Sequence, residues 1–244
     1  MFSIFKKTPQ RADLSPLVAD MHSHLIPGID DGSPDLETSL SLIRSMVDLG
    51  YQKIITTPHI MGEVYENGPD NILTGAQEVK QALKEEKIDV EFFAAAEYML
   101  DDHFSSLLER DLPLLTIKDN MVLVEFSFVS APMDYKQKIF SMQIKGYRPI
   151  LAHPERYGYF HRNKKIYDEL RNMGCIFQVN LLSLIGYYGK PMQDMAHHLV
   201  DKGEVSLLGT DLHHAKHMDL LHNPALSDVV NEILDTHEIL NSQL

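Results

Sequence analysis

An α/β barrel with a metal site at one mouth is the fold class that this sequence predicts, and three observations predict it. Seven short apolar stretches alternate with helical patterns along the chain. Most of them end on a residue of metal-ligand type: His22, His59, Glu97, Glu125, His153 and Asp211. No Pro/Gly/Ser-rich stretch divides the 244 residues, so one domain with a large core is expected. Parallel barrel strands all point their C-terminal ends at one face, where residues distant in sequence converge. A metalloenzyme is the expected product.

Residues 1–14 read as a polar tail, with Phe2, Ile4 and Phe5 available to dock on the body, and 15–244 as the catalytic domain. Leu17-Val18-Ala19 reads as the first strand and runs into Asp20-Met21-His22-Ser23-His24. The loop at 26–33 is rich in turn residues. Ser33-Pro34 offers an N-cap and N1 pair; Leu36, Leu40, Ile43, Met46 and Val47 then recur at helical spacing until Gly50 stops the helix. The same grammar returns with strands at 53–56, 90–95, 121–124, 148–152, 176–179 and 205–208. Helical patterns fall at about 72–87, 132–145, 162–173, 191–202 and 224–240. This alternation implies a mainly parallel sheet, and seven units suggest a barrel. No fixed-period repeat indicates a solenoid.

Composition narrows the function. A formal net charge of -13 argues against a nucleic-acid binder, so any phosphate is held locally, by metal and a few cations. The single cysteine, Cys175, allows no internal disulfide. The start, MFSIFKKTPQRADL, lacks an apolar h-region, and no run approaches the roughly 18 apolar residues of a membrane span. A cytoplasmic protein without membrane insertion is expected.

His22-Ser23-His24 sets two imidazoles at i and i+2 on extended backbone, so both reach toward one ion. Asp211-Leu212-His213 repeats that logic with one oxygen and one nitrogen ligand. Such mixed ligation suits Zn, Mn or Fe without selecting among them. Glu97 and Glu125 each end an apolar run, where a carboxylate is costly to bury unless a cation meets it. Taken singly, either could be a helix cap or half of an ion pair, and His59 or His153 a structural histidine; their joint occurrence favours ligation. His103, His161, His197, His198, His222 and His237 read as surface or supporting residues, with His161 the best placed to face the site. One of His214 and His217 is expected to line the pocket. Tyr187-Tyr188 and Met192/Met195 read as packing.

His-x-His after the first strand, Asp31 nine residues beyond His22, Thr-Pro-His59, Glu97, Glu125, His153-Pro-Glu-Arg156 and Asp211-x-His213 together resemble the PHP (polymerase and histidinol phosphatase) domain. DMHSHLIPGIDDGS, TTPH and AHPERY resemble its branch of bacterial metal-dependent tyrosine phosphatases of capsular and extracellular polysaccharide synthesis. The resemblance spans about residues 18–215. It implies an irregular TIM-like (β/α)₇ barrel of PHP type with three divalent metal ions at its C-terminal mouth, Mn ahead of Fe, Zn or Mg. One ion would sit among His22, His24, Glu97 and Asp211, a second among Glu97, Glu125 and His153, and a third among Asp31, His59 and His213, with Glu97 bridging two of them. The chain departs from its relatives in two ways. About twenty residues precede the His-x-His, and His214, Lys216 and His217 occupy the stretch where relatives often carry an arginine. Lys216 is the expected substitute for that second cationic phosphate contact.

The activity so implied is hydrolysis of phosphotyrosine in a protein partner, a tyrosine autokinase by family resemblance, with water activated by metal and Arg156 clamping the phosphate through its guanidinium fork. The bland role for Arg156 is a surface salt bridge with Glu155 or a neighbour. A cysteine-based phosphatase is excluded: Leu181 stands six residues after Cys175, where a Cys-x₅-Arg loop needs arginine. The alternatives are a small-molecule phosphatase such as histidinol-phosphatase, a phosphodiesterase of the same fold, and a metal-binding regulatory partner without turnover. The loops at 60–70 and 182–191 are expected to decide the substrate's size, with Tyr65, Tyr187 and Tyr188 available to frame an aromatic phosphoester.

Overall fold

The computed structural model describes residues 11–244. Nine strand segments follow in chain order: β1 (Ala19–Asp20), β2 (Lys53–Thr56), β3 (His59–Ile60), β4 (Glu91–Ala94), β5 (Glu97–Met99), β6 (Met121–Glu125), β7 (Arg148–Ala152), β8 (Ile176–Asn180) and β9 (Val205–Gly209). One sheet runs β1-β2-β4 and the other β3-β5-β6-β7-β8-β9, with parallel pairing throughout. The nine segments fill seven barrel positions, because β3 continues β2 and β5 continues β4. The interruption at Thr57-Pro58 follows from Pro58, which has no N–H to give a ladder. Ala95 N–H donates to the Thr56 carbonyl at 2.9 Å and Glu97 N–H to that of Pro58 at 3.1 Å, so pairing crosses the break. Between the first and last positions a parallel Ser23–Leu212 bridge closes the barrel, flanked by Asp211 N–H to His22 O at 2.8 Å and His24 N–H to Leu212 O at 2.9 Å.

Helices α1 (Leu36–Asp48), α2 (Pro69–Glu85), α3 (Asp102–Glu109), α4 (Tyr135–Ile144), α5 (Lys165–Asn172), α6 (Leu181–Leu184), α7 (Lys190–Asp201), α8 (Ala215–Leu221) and α9 (Ala225–Thr236) lie between and after the strands. Their apolar faces and the outward strand residues make the larger core cluster, including Ile43, Val79, Val122, Leu170 and Phe177. A second cluster fills the barrel: Met21, Ile55, Ala95, Leu123, Ile150, Ala152, Ile176 and Leu207. Strand side chains alternate between faces, so the position two beyond an interior apolar residue also points inward. Ala95 is thus followed by Glu97, Leu123 by Glu125, Ile176 by Gln178 and Asn180, and Leu207 by Gly209 and Asp211. Core below and polar groups at the mouth are one alternation.

The structure corrects several local expectations. Leu17 belongs to a 3-10 turn (Ser15–Leu17), and Val18 has φ +65°, so the first strand starts only at Ala19. The cap of α1 is Asp35, whose carboxylate accepts from Thr38 N–H at 2.8 Å; Ser33 N–H is held by the His24 carbonyl, which keeps the chain non-helical there. Helices α3, α6 and α8 were not anticipated, being short. Of the segment expected as a tail, Phe2, Ile4 and Phe5 lie outside the described residues. Ala12 and Leu14 are buried, with their N–H groups on the carbonyls of His222 and Leu49, so packing already begins at Ala12.

Buried Asn241 sews the barrel seam. Its amide donates to Ala19 O at 2.9 Å and Leu208 O at 2.7 Å, and its oxygen accepts from Leu208 N–H at 2.9 Å. Asn241→Ala leaves these groups without partners and is expected to cost roughly 3 kcal/mol, lowering the thermal midpoint by roughly 6–12 °C; calorimetry that finds no shift removes Asn241 from the seam.

Candidate metal centre

The barrel mouth gathers the nine side chains expected as ligands. Glu97 lies at their centre: His153 Nε2 is 3.0 Å from Oε1, and His22 Nε2, His59 Nδ1 and His24 Nε2 are 3.1, 3.2 and 3.5 Å from Oε2. His22 and His24 also face Asp211 Oδ1 at 3.4 and 3.7 Å, and His59 Nδ1 faces Glu125 Oε1 at 3.0 Å. Asp31 Oδ1 is 3.5 Å from the Nε2 atoms of both His59 and His213. Four groups have ligand atoms within 4.8 Å of one another: His24, Asp31, His59 and His213; His22, His24 and Asp211; His22, Glu97 and His153; His59, Glu97 and Glu125. His24 therefore lies between two of the expected sets, and His59 reaches Glu97 and Glu125 as well as Asp31.

Local backbone makes this convergence possible. His153 (φ +35°) and Asp211 (φ +50°) leave their strands in the left-handed region, which turns both side chains into the mouth. Gly32 passes so close to His24 that a Cβ would lie 2.2 Å from the His24 carbonyl oxygen, and a Cβ at Gly209 would lie 2.7 Å from Gln178 Nε2 and 2.8 Å from the His22 side-chain Cβ. Both positions need glycine for proximity.

Supporting groups fix the rings. His24 Nδ1 donates to Asp30 Oδ2 at 2.8 Å, and Asp30 is held in turn by Gly32 N–H at 2.9 Å and His59 N–H at 3.1 Å. His22 Nδ1 donates to Gln178 Oε1 at 2.8 Å, Gln178 Nε2 to Asn180 Oδ1 at 2.9 Å, and Asn180 Nδ2 to Asp211 Oδ2 at 2.7 Å. His213 Nδ1 donates to the Asp211 carbonyl at 2.9 Å. Each of these three imidazoles thus has Nδ1 engaged and Nε2 facing the cluster, the arrangement by which outer groups orient metal ligands. Sequence reasoning overlooked Asp30, Gln178 and Asn180. The last two carried a signal, as polar residues on the interior parity of an otherwise apolar strand.

The donor set suits cations. His22 Nε2, His24 Nε2, His59 Nδ1, His153 Nδ1, Glu97 Oε2 and Glu125 Oε1 are all buried without a hydrogen-bond partner, a costly state for polar atoms that a metal ion would relieve. Burial raises the Glu125 carboxyl to about 7, aided by the charge of Glu97. Burial works against the charged His22 and His59 rings, yet Glu97 and neighbouring carboxylates raise both to about 10. Burial also opposes ionisation of Glu97 and Asp211, and His22 among other rings holds both well below the usual range. An arriving divalent ion must displace protons from this cluster.

A cavity of about 470 Å³ opens over the cluster, lined also by Phe128, Arg156, Tyr187, Tyr188, His214 and His217. Arg156 does not pair with Glu155: its Nη1 donates to Asp211 Oδ2 at 2.8 Å, and its guanidinium lies 4.3 Å from the Phe128 ring centroid and 4.1 Å from that of Tyr188. Both His214 and His217 reach the cavity. Lys216 does not: it is exposed on α8, its ammonium 5.8 Å from the Tyr187 centroid. His161 also stays out, its Nε2 2.8 Å from the Glu155 carbonyl. Tyr65 stacks on His59 with centroids 5.5 Å apart. Burial pushes the Cys175 thiol up to about 12, which leaves it inert.

Residues 18–236 match the family described as Capsular polysaccharide synthesis, CpsB/CapC. The chain is 31% identical to the tyrosine-protein phosphatase YwqE of Bacillus subtilis over 81% of this chain and 78% of that protein. It is 28% identical to the tyrosine-protein phosphatase CpsB of Streptococcus pneumoniae over 80% of this chain and 82% of that one. A solved chain from the crystal structures of B. subtilis YwqE and S. pneumoniae CpsB, called unique metal-dependent tyrosine phosphatases, superposes with TM-score 0.77 at 27% identity, covering 91% of this chain and 96% of that one. Histidinol phosphate phosphatase of Lactococcus lactis shares the fold, with TM-score 0.57 and 15% identity over 94% of this chain and 95% of that one.

Beneath the site, Glu155 is buried and accepts from Ser183 Oγ at 2.6 Å and Asn180 N–H at 3.0 Å. Burial raises its carboxyl to about 7 from an ordinary 4.5 despite those donors. The folded state therefore holds this proton more tightly than the unfolded chain. The associated stability is complete below about 4.5 and is lost as pH rises through about 7. Glu155→Gln is expected to be nearly neutral at acidic pH and to stabilise above neutrality by up to about 3 kcal/mol. Urea unfolding of both proteins in chelator at the two pH values reads the difference directly, and equal gaps would refute it.

Proposed function

The chain belongs to the CpsB/CapC family of capsular polysaccharide synthesis, and we propose that it works there as a metal-dependent protein-tyrosine phosphatase. One observation carries the proposal: nine side chains of metal-ligand type converge on the barrel mouth, six of them with a buried donor atom that has no partner, and a largely covered arginine stands beside them.

Under this proposal His22, His24, Glu97 and Asp211 hold one divalent ion, Glu97, Glu125 and His153 a second, and Asp31, His59 and His213 a third. Manganese is the first choice, with iron, zinc and magnesium compatible with such mixed donors. Bound cations would supply Lewis acidity, offsetting phosphate charge and making a water acidic enough to attack at neutral pH. The protein's own residues do the rest. Arg156 presents its remaining N–H donors to phosphate oxygens while Asp211, Phe128 and Tyr188 keep its plane in place. Asp30 and the Gln178–Asn180 pair hold the imidazoles in one orientation. Tyr187, Tyr188 and Phe128 give an aromatic ring an apolar wall. The proposed partner is a phosphotyrosine protein, namely a tyrosine autokinase in the cytoplasm. Among the described residues no helix is long and apolar enough to cross a membrane.

Phosphate release from a phosphotyrosine peptide and from histidinol phosphate, measured in parallel with added Mn²⁺ and with chelator, tests the proposal. Metal-dependent preference for the peptide is expected, unaffected by thiol alkylation. Preference for the small phosphate would keep the site and replace the substrate, and loss of activity on alkylation alone would overturn the metal mechanism.

Arg156→Ala is expected to lower kcat/KM by about 100-fold, and Arg156→Lys to restore little of it, because a point charge cannot reproduce the fork. Metal content measured alongside separates a lost phosphate contact from a lost ion. Unchanged kcat/KM would remove Arg156 from the phosphate site.

A further inference from the structure

Next to the catalytic cavity lies a second hollow of about 400 Å³, with walls formed by Phe128, Val129, Tyr159, Tyr188 and Met192 around Gly158. Phe128, Arg156 and Tyr188 line both spaces, so a single stacked partition separates them. The hollow has a fixed frame. Tyr157 Oη accepts from Phe126 N–H at 3.0 Å and donates to Ala152 O at 3.0 Å, while Tyr159 Oη donates to Ser127 O at 3.0 Å. These bonds hold the loop after β6 that carries Phe128 and Val129, which are 48% and 88% exposed.

Resting on the phosphatase reading above, we propose that this hollow is a specificity subsite. It takes a large apolar or aromatic side chain two residues from the phosphotyrosine in the substrate peptide. Adjacency supports this: in an extended peptide, residues i and i+2 point the same way and stand roughly 6.5–7 Å apart, and the two hollows share the Phe128–Arg156–Tyr188 partition. Chemistry supports the apolar choice. Among the described residues the only cation lining the hollow, Arg156, is engaged by Asp211 and covered on both faces by aromatic rings, so an acidic residue there would lose its water without gaining a free partner. A Cβ at Gly158 would meet only Met192 Cε, at 3.9 Å, so the floor is open rather than filled.

The test uses the full-length metal-loaded protein and phosphotyrosine peptides that differ only two positions before or after the phosphotyrosine, carrying Phe, Leu, Gly or Asp, with free phosphotyrosine as reference. Phe or Leu on one side is expected to raise kcat/KM about tenfold or more over Asp. The same order is expected in Kd for peptides bearing a non-hydrolysable phosphonate, read by fluorescence anisotropy. Val129→Asp, a change at an exposed position, is expected to compress that ratio toward one. Turnover of free phosphotyrosine with a flat peptide panel would overturn the subsite and leave the phosphatase standing. Absence of turnover on every substrate, with Mn²⁺ present, would overturn both.

Discussion

Everything at the barrel mouth depends on the buried carboxylate of Glu97. It is fully removed from solvent, and four of the five clustered imidazoles stand within 3.5 Å of it. A lone carboxylate in such a place would protonate or drive the fold apart. Here four imidazoles gather around it, which is why its neighbours, and not its own strand, determine the charge it keeps. Glu125 lies close by and shows the opposite outcome, raised to about 7 by burial and by that same neighbouring charge. Two carboxylates that share one dry space cannot both ionise without added cations. The cluster is thus built around a deficit of positive charge.

Holding that deficit open requires rigidity further out. The chain of amides from His22 through Gln178 and Asn180 ends on Asp211, so two candidate ligands are positioned by one relay. Asp30 does the same for His24 and for the backbone entering β3. The relay sits on β8, between the strands that carry His153 and Asp211, and the seam closed by Ser23–Leu212 keeps the first and last strands in register with it. Barrel closure and ligand geometry are therefore a single constraint. A slip of one residue in any of these strands would exchange barrel-interior for helix-facing side chains and scatter the cluster.

Much of this was legible in the sequence because strand parity is strict. Glu97 and Glu125 stand two residues, and Asp211 four, beyond interior apolar positions, so reading the apolar run already locates the candidate ligand. The strands at 121–125, 148–152 and 176–180 were read nearly to the residue for the same reason. Parity fails where the backbone leaves the extended region. Val18 at φ +65° shortens the first strand, and the left-handed turn at His153 aims that ring by a route no alternation encodes. Lys216 was misplaced for a related reason. The family's arginine in that stretch suggested a contact there, but α8 starts at Ala215 and leaves Lys216 exposed and outside the cavity lining, while His217, three residues from the cap at His214, turns in. Gln178 and Asn180 obeyed parity and were overlooked because amides do not look like ligands; they act one layer out.

Discrimination among phosphoesters then falls to the rim. The metal-binding set would serve any phosphate monoester, since it meets only oxygen and phosphorus. What an aromatic ester would encounter is different: Phe128 and Tyr188 with Arg156 between them, and Tyr187 against His217. Rings bury large area with few rotatable bonds, so such walls favour a planar, apolar leaving group at low entropic cost. A small polar metabolite would leave these faces wet and gain little from them. The net charge of -13 acts in the same direction. Under the proposed function an anionic substrate would approach against the overall field and be drawn in only where bound cations and Arg156 reverse it locally, within the last few ångströms. On that proposal affinity must come from contacts beside the phosphate as well as from the phosphate, and the aromatic rim is the part of this fold that would turn a general phosphate trap into a selective one.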